Sequence, residues 1–414
     1  MYANRRHVNG ATAIVIFACL TALLLLGGCA GNTNVNVKSP TNKTPDSLRN
    51  DRHSFEMLGF DAAADNASQT SQQTGSGLKV GFLYIGPAED YGFTYAQNQG
   101  RLAVMDELGV ETIVREKIPE NEASINAMQE MIDEGCTVIF ACSYGYQDYI
   151  YKMAEKYPDL YFFHCSGDIT RENMSQYFGK IYQPRYLTGI VAGLRTQTNK
   201  IGYVAAYPIP EVIRGVDAFA LGVKSVNPEA EIRINWSYSW YDPALEKDLA
   251  LELIGLGCDV IAQHQDTVSP QVAAQEMGVW SIGYNSPMGF FAEDAYLTGA
   301  IWNWAPYMVD QVRNILNGTW SSSKYWGGIE DDVVRLDTLT KNVSPGAQEA
   351  VDSAYNALIN GFNIFEGPIY DNEGTIRVPE GTALTDDEIW SLTWFVDNIV
   401  STAPSSRFGD GFPY

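Results

Sequence analysis

Short apolar runs, bounded by glycine, proline and polar residues, recur from residue 78 onward, and longer segments with helical spacing separate them. The first run is Leu78-Lys79-Val80-Gly81-Phe82-Leu83-Tyr84-Ile85, closed by Gly86-Pro87. Others occupy 111–114, 137–141, 160–164, 201–205, 231–235, 259–263 and 280–284. A run that stays apolar instead of alternating predicts a strand buried on both faces, as in a parallel sheet. Between the runs, 95–108, 122–134, 146–156, 210–226, 243–256 and 269–277 are long enough for crossover helices, so the pattern predicts right-handed βαβ units. The series pauses over 183–198 and restarts at Lys200-Ile201-Gly202-Tyr203-Val204. The predicted fold class is therefore α/β, with two doubly wound parallel-sheet lobes joined by a hinge. Lobe 1 spans 78–198 and lobe 2 spans 199–296. The remainder, 297–414, supplies a return helix near 302–316 and a helix near 344–361, both completing lobe 1. A C-terminal tail comes next, with a hairpin turn at Tyr370-Asp371-Asn372-Glu373-Gly374, lying across the outer surface. Loops at the carboxyl ends of both sets of strands then line a cleft, which is where a ligand belongs.

The segment before residue 78 reads differently. Arg5 and Arg6 precede an apolar run of about 16 residues, 11–26, too short for a comfortable membrane span and laid out as a signal peptide over 1–28. It ends in Leu26-Gly27-Gly28-Cys29, which resembles the bacterial lipobox. That resemblance makes Cys29 the lipidation site and new N-terminus, with several acyl chains holding the protein to a membrane surface. Residues 29–77 are rich in Asn, Ser, Thr, Gln and Asp and form a flexible tether.

Charge and composition remove several function classes. Twenty-seven basic against fifty acidic residues give a net charge of −23, which excludes nucleic acid as a partner because phosphate neutralisation needs clustered cations. Cys136, Cys142, Cys165 and Cys258 sit in or beside apolar runs at irregular spacing, without CxxC or HxxxH pairs, and are expected as buried free thiols rather than metal ligands. Neither a GxGxxG after the first strand nor a Walker sequence nor a GxSxG elbow is present, and four histidines leave few acid–base options. The expectation is a binding protein with no cofactor, no metal and no catalytic residues.

Aromatic residues crowd two strand-end loops instead. Asp90-Tyr91-Gly92-Phe93-Thr94-Tyr95 follows the first strand, and Asn235-Trp236-Ser237-Tyr238-Ser239-Trp240-Tyr241-Asp242-Pro243 follows a strand of the second lobe. Rings on both lobes suit a flat heterocycle, each face contributing roughly 1–3 kcal/mol by analogy with base stacking. These two segments, with the lipobox, Gly283-Tyr284-Asn285-Ser286 and Leu297-Thr298-Gly299, resemble the basic membrane protein family, lipid-anchored solute-binding proteins of ABC importers. The likeness spans roughly 78–320. It implies a type I periplasmic-binding-protein-like fold, an ABC permease as partner, the extracytoplasmic face of a bacterial cell membrane as location, and hinge closure around a small molecule.

The resemblance also places residues. In the family's purine-nucleoside receptors two aromatics clamp the base, and Phe93 and Trp240 stand at the matching positions; Asp168 stands at a ligand-side aspartate. An aspartate and a lysine that hold the ribose hydroxyls are replaced here by Asn285 and Trp302. Losing two charge-assisted bonds while a tryptophan fills the sugar space favours a free purine base, adenine first, over a nucleoside. Asn285 is then expected to read the base edge. Tyr144 and Asp266, with Tyr146, Gln263 and His264, are further strand-end candidates. A nucleoside receptor and a ligand-sensing ectodomain for a signalling partner are the alternatives.

Overall fold

A computed structural model describes residues 77–400. The expected signal peptide, the lipidation site Cys29 and all but the last residue of the expected tether lie outside the described residues.

Two six-stranded sheets carry the fold. The first holds β1 (Lys79–Tyr84), β2 (Glu111–Arg115), β3 (Val138–Cys142), β4 (Tyr161–Cys165) and β5 (Met174–Gly179). The second holds β6 (Lys200–Ala205), β7 (Glu231–Trp236), β8 (Val260–His264), β9 (Trp280–Asn285) and β10 (Tyr296–Trp302). Two later strands close one edge of each sheet: β11 (Lys324–Gly327) joins β5 in parallel, and β12 (Val334–Leu336) joins β10 antiparallel. The orders β11-β5-β4-β3-β1-β2 and β12-β10-β9-β8-β6-β7 are one pattern repeated. In each, the first strand lies between the second and third, the reversal that opens a crevice at the carboxyl ends. Every apolar run expected as a strand is one, within a residue at each end.

Register explains why so little polarity is needed. Phe82 pairs with Phe140 and Phe140 with Phe163 across β1, β3 and β4, and the rings stack at 5.0 and 4.4 Å. Covering both faces are α1 (Phe93–Leu108), α2 (Ala123–Asp133), α3 (Gln147–Lys156), α4 (Tyr182–Arg195), α5 (Pro210–Val226), α6 (Pro243–Gly255), α7 (Ser269–Met277) and α8 (Ala305–Leu316). The C-terminal part adds α9 (Ala347–Ile359), a hairpin of β13 (Ile369–Tyr370) and β14 (Ile376–Val378) around the expected turn, and α10 (Asp386–Trp390).

Helix α4 fills the stretch where the strand–helix series pauses. Eleven of its residues are buried, including Pro184 and Arg185, so it shows no polar face for a periodicity to reveal. It lies flush against α5: a Cβ on Gly189 would stand 2.1 Å from Phe219 O, and one on Gly222 would stand 2.0 Å from Tyr186 O. The chain therefore passes into the second lobe after β5, near residue 180, instead of at the expected 198/199 boundary. It returns near 303 after β10, so that α8 packs on α1, and crosses a third time between β11 and β12. The expected boundary at 296/297 likewise falls ahead of the real crossing, because β10 belongs to the second sheet. The helix expected over 344–361 also changes lobe: Ser344 Oγ donates to Leu194 O of α4, and Phe362 packs on Tyr186 at 6.0 Å.

The crossings are bonded side by side. Lys180 N donates to Gly327 O, Asn303 N to Val333 O at 2.9 Å and Ile329 N to Gln183 Oε1 at 2.9 Å. The C-terminal segment straps this region from outside. Trp390 Nε1 donates to Asp168 of the first lobe at 2.7 Å, while Arg214 of α5 donates to Trp390 O at 3.1 Å and stacks on its ring at 4.8 Å. Further on, 398–400 extends the second sheet beyond β7, with Ile232 N donating to Asn398 O at 2.9 Å and Val400 N to Ile232 O at 3.0 Å.

Candidate functional site

The two aromatic loops meet at the carboxyl ends of the sheets. Asp90 organises the first: its Oδ1 accepts from Gly92 N at 2.7 Å and Tyr95 N at 2.9 Å, which starts α1 and aims Phe93 at the cleft. Burial pushes the Asp90 carboxyl up to about 6 despite these bonds. In the second lobe Asp242 caps α6 through Leu245 N at 3.1 Å, and Trp240, just before it, packs on Tyr207 at 5.1 Å.

Between them lies a small cavity that is partly open to solvent. Phe93, Tyr144, Ser143, Ser166 and Ile85 line it from the first lobe; Trp240, Glu211, His264, Asp266 and Tyr284 line it from the second. Phe93 and Trp240 are both partly buried and face one space from opposite sheets. The lobes also touch. Ser286 Oγ donates to Tyr91 O, Tyr91 packs edge-on against Phe290 and Phe291 at 5.3 and 4.9 Å, and a Cβ on Gly92 would strike Asp266 O at 2.1 Å. The lobes thus touch beside the cavity, and Gly92 is the residue that lets the loop after β1 come so near the loop after β8.

Five of the expected site residues, Phe93, Trp240, Tyr144, Asp266 and His264, therefore share the cavity. Asn285 and Trp302 stand behind its wall. Trp302 Nε1 donates to Asn285 Oδ1 at 3.0 Å, and Asn285 Nδ2 donates to Asp266 Oδ1 at 2.9 Å and Gln265 O at 3.3 Å. Both ends of the amide are thus engaged within the protein, where the sequence suggested a base-reading group. The Trp302 ring stacks on Trp304 at 4.7 Å and abuts Phe93 at 6.0 Å, so it buttresses the clamp. It ends a strand instead of starting the return helix. Asp168 is exposed outside the cavity lining and accepts from Trp390.

Electrostatically the second-lobe wall is unusual. Burial, with Asp90 and Glu246 nearby, holds Asp266 well above the usual carboxylate range, against the opposing bonds from Asn285 and Phe93 N–H. His264 is held well below the ordinary imidazole value by burial and by Arg185 and Arg214. Arg185 lies 3.9 Å over the Tyr284 ring and donates to Gln263 O at 3.0 Å. Glu211, in the first turn of α5, is raised to about 7 by burial, against the pull of Arg214 and Arg185. Glu211, Ser143 and Ser166 escaped the sequence reading. The position of Glu211 just after a strand-end loop was the available signal, masked by an ordinary helix-start pattern, Pro-Glu.

Among the described residues no three His, Cys, Asp or Glu group as metal ligands. The four described cysteines are buried free thiols.

Residues 78–373 match the family described as ABC transporter substrate-binding protein, PnrA-like. The chain belongs to this family. The PnrA-like protein is 34% identical over 330 residues to a purine-binding protein of Brucella abortus, covering 79% of the present chain and 94% of the relative. It is 39% identical over 301 residues to a putative ABC transporter glucose-binding protein of Haloferax volcanii, covering 72% and 77% respectively. An ABC solute-binding protein of Aeropyrum pernix shares the fold with a TM-score of 0.62 at 17% identity, over 75% of this chain and 95% of that one. The PnrA-like family and these neighbours are solute-binding proteins, not enzymes. No helix among the described residues is long and apolar enough to cross a membrane.

Proposed function

We propose that this substrate-binding protein captures a free purine base, adenine first, between Phe93 and Trp240 and delivers it to a membrane permease. The single observation that carries the reading is that two rings from opposite lobes line one cavity. The Brucella relative's name supports the ligand class. Trp302 and Asn285, bonded to each other and to Asp266, support a base over a nucleoside, because neither offers a group to ribose hydroxyls. Lipid attachment through Cys29 on the extracytoplasmic face belongs to the same proposal. It is tested by the loss of membrane association in Cys29→Ala.

The name of the Haloferax relative makes a hexose the competing ligand. Calorimetry with adenine, guanine, adenosine and glucose separates the readings. Adenine is expected to bind tightest. Phe93→Ala and Trp240→Ala should each weaken it by more than about 1 kcal/mol, the loss of one stacking face. Tighter adenosine or glucose binding, or clamp variants within twofold of wild type, would overturn the proposal.

A further inference from the structure

Two carboxyl side chains line the cavity, and they differ in how they are used. The Asp266 carboxyl is taken up by Asn285 Nδ2 and the Phe93 N–H. Glu211 makes no hydrogen bond to any described residue, although its side chain is only 12% exposed. What surrounds it is charge without donation. Arg214, one turn along α5, donates to Trp390 O and stacks on Trp390. Arg185, from α4, donates to Tyr203 and to Gln263 O. His264 Nε2, at the end of β8, is 3.8 Å from Glu211 Oε1, beyond hydrogen-bond distance, and lies 3.3 Å from Tyr284 OH of β9. Glu120 faces it from the first lobe. The two guanidinium groups and the start of the helix favour a negative charge there, while both carboxylate oxygens keep their lone pairs for something in the cavity.

Resting on the purine proposal, we infer that Glu211 is the specificity-determining acceptor of the site, its carboxylate receiving N–H donors from the edge of the base. A charge-assisted bond of this kind strengthens in a closed, poorly solvated cleft. It also gives a positive reason for preferring a free base. The imidazole-ring N–H of a purine is present in the base and absent in its nucleoside, so a donor that Glu211 can use vanishes on glycosylation.

The consequence is linkage. Burial raises Glu211 to about 7, and a donor bonded to its carboxylate lowers that value. The ligand therefore binds the ionised form, and affinity is full above about pH 7 and falls as pH drops through it. Calorimetry with adenine at pH 6 and pH 8 is the test, together with Glu211→Gln, which keeps the size of the side chain.

In the wild type, adenine is expected to bind about tenfold weaker at pH 6 than at pH 8. Near pH 7, binding is expected to release protons, read from the dependence of the heat on buffer ionisation enthalpy. Glu211→Gln should lose about tenfold or more at pH 8 and show no pH slope and no proton release. Without ligand it should melt higher than wild type at pH 8, because a buried charge has gone. A slope that persists in Glu211→Gln, or an affinity within twofold of wild type at pH 8, overturns the role of Glu211 while leaving the purine reading intact. Failure of the wild type to bind any purine overturns both.

Discussion

Replacing Asn285 by aspartate puts a carboxylate into surroundings built for an amide. The new side chain has the shape of the old one, so Trp302 Nε1 keeps its acceptor at 3.0 Å. The second atom, now oxygen, faces Asp266 Oδ1 at 2.9 Å and Gln265 O at 3.3 Å, both acceptors. Asn285 is 0% exposed, so an ionised aspartate would lie beside another carboxyl without water. It folds only when protonated, donating one bond where the amide donates two. Holding a carboxyl of ordinary pKa near 3.9 in its neutral form destabilises by about 1.4 kcal/mol for each pH unit above that value. The expected loss is about 4 kcal/mol at pH 7 and about 1.5 kcal/mol at pH 5. The sign is fixed by a folded-state pKa above the unfolded one: the variant's deficit grows as pH rises. Urea denaturation followed by tryptophan fluorescence at pH 5, 6 and 7 reads it directly. A deficit independent of pH, or below about 1 kcal/mol at pH 7, would refute the claim that this amide is locked into the wall.

The packing sets further outcomes. Gly222→Ala forces a methyl to within 2.0 Å of Tyr186 O on the facing helix, and thermal melting should show a loss of more than about 2 kcal/mol as α4 and α5 separate. Trp390→Ala removes the bond to Asp168 and the stack on Arg214, so it should lower stability by about 2–3 kcal/mol in denaturant titration while leaving the cavity lining in place. Across pH 6.5 to 8 the protein without ligand should melt at progressively lower temperature. Burial raises Glu211 and Glu246 to about 7 and Asp266 further, so the folded state holds protons that the unfolded state has already lost. The neutral His164, lowered to about 4, and His264, held well below its ordinary value, oppose this mainly at and below pH 6.5, and their effect fades as pH rises toward 8. A melting temperature that rises over the interval would contradict the buried carboxyls.

The strands, the twofold repetition of the strand–helix series and the two aromatic loops were all legible in the amino-acid order. A parallel strand covered on both faces must be apolar throughout, and rings gather in a strand-end loop when another surface or a ligand covers them. Phe93 and Trp240 stood out for that reason. Helix α4 did not, because burial on all sides erases the polar face that reveals a helix. The roles of Asn285, Trp302, Asp168 and Glu211 emerged only once the chain was folded. Whether a polar side chain points at a ligand depends on which partners other elements bring to it. Asn285 finds Trp302 and Asp266, Asp168 finds Trp390 from the far end of the chain, and Glu211 finds no donor. Local pattern sets what each segment becomes, while long-range contact sets which of its polar atoms remain free to act.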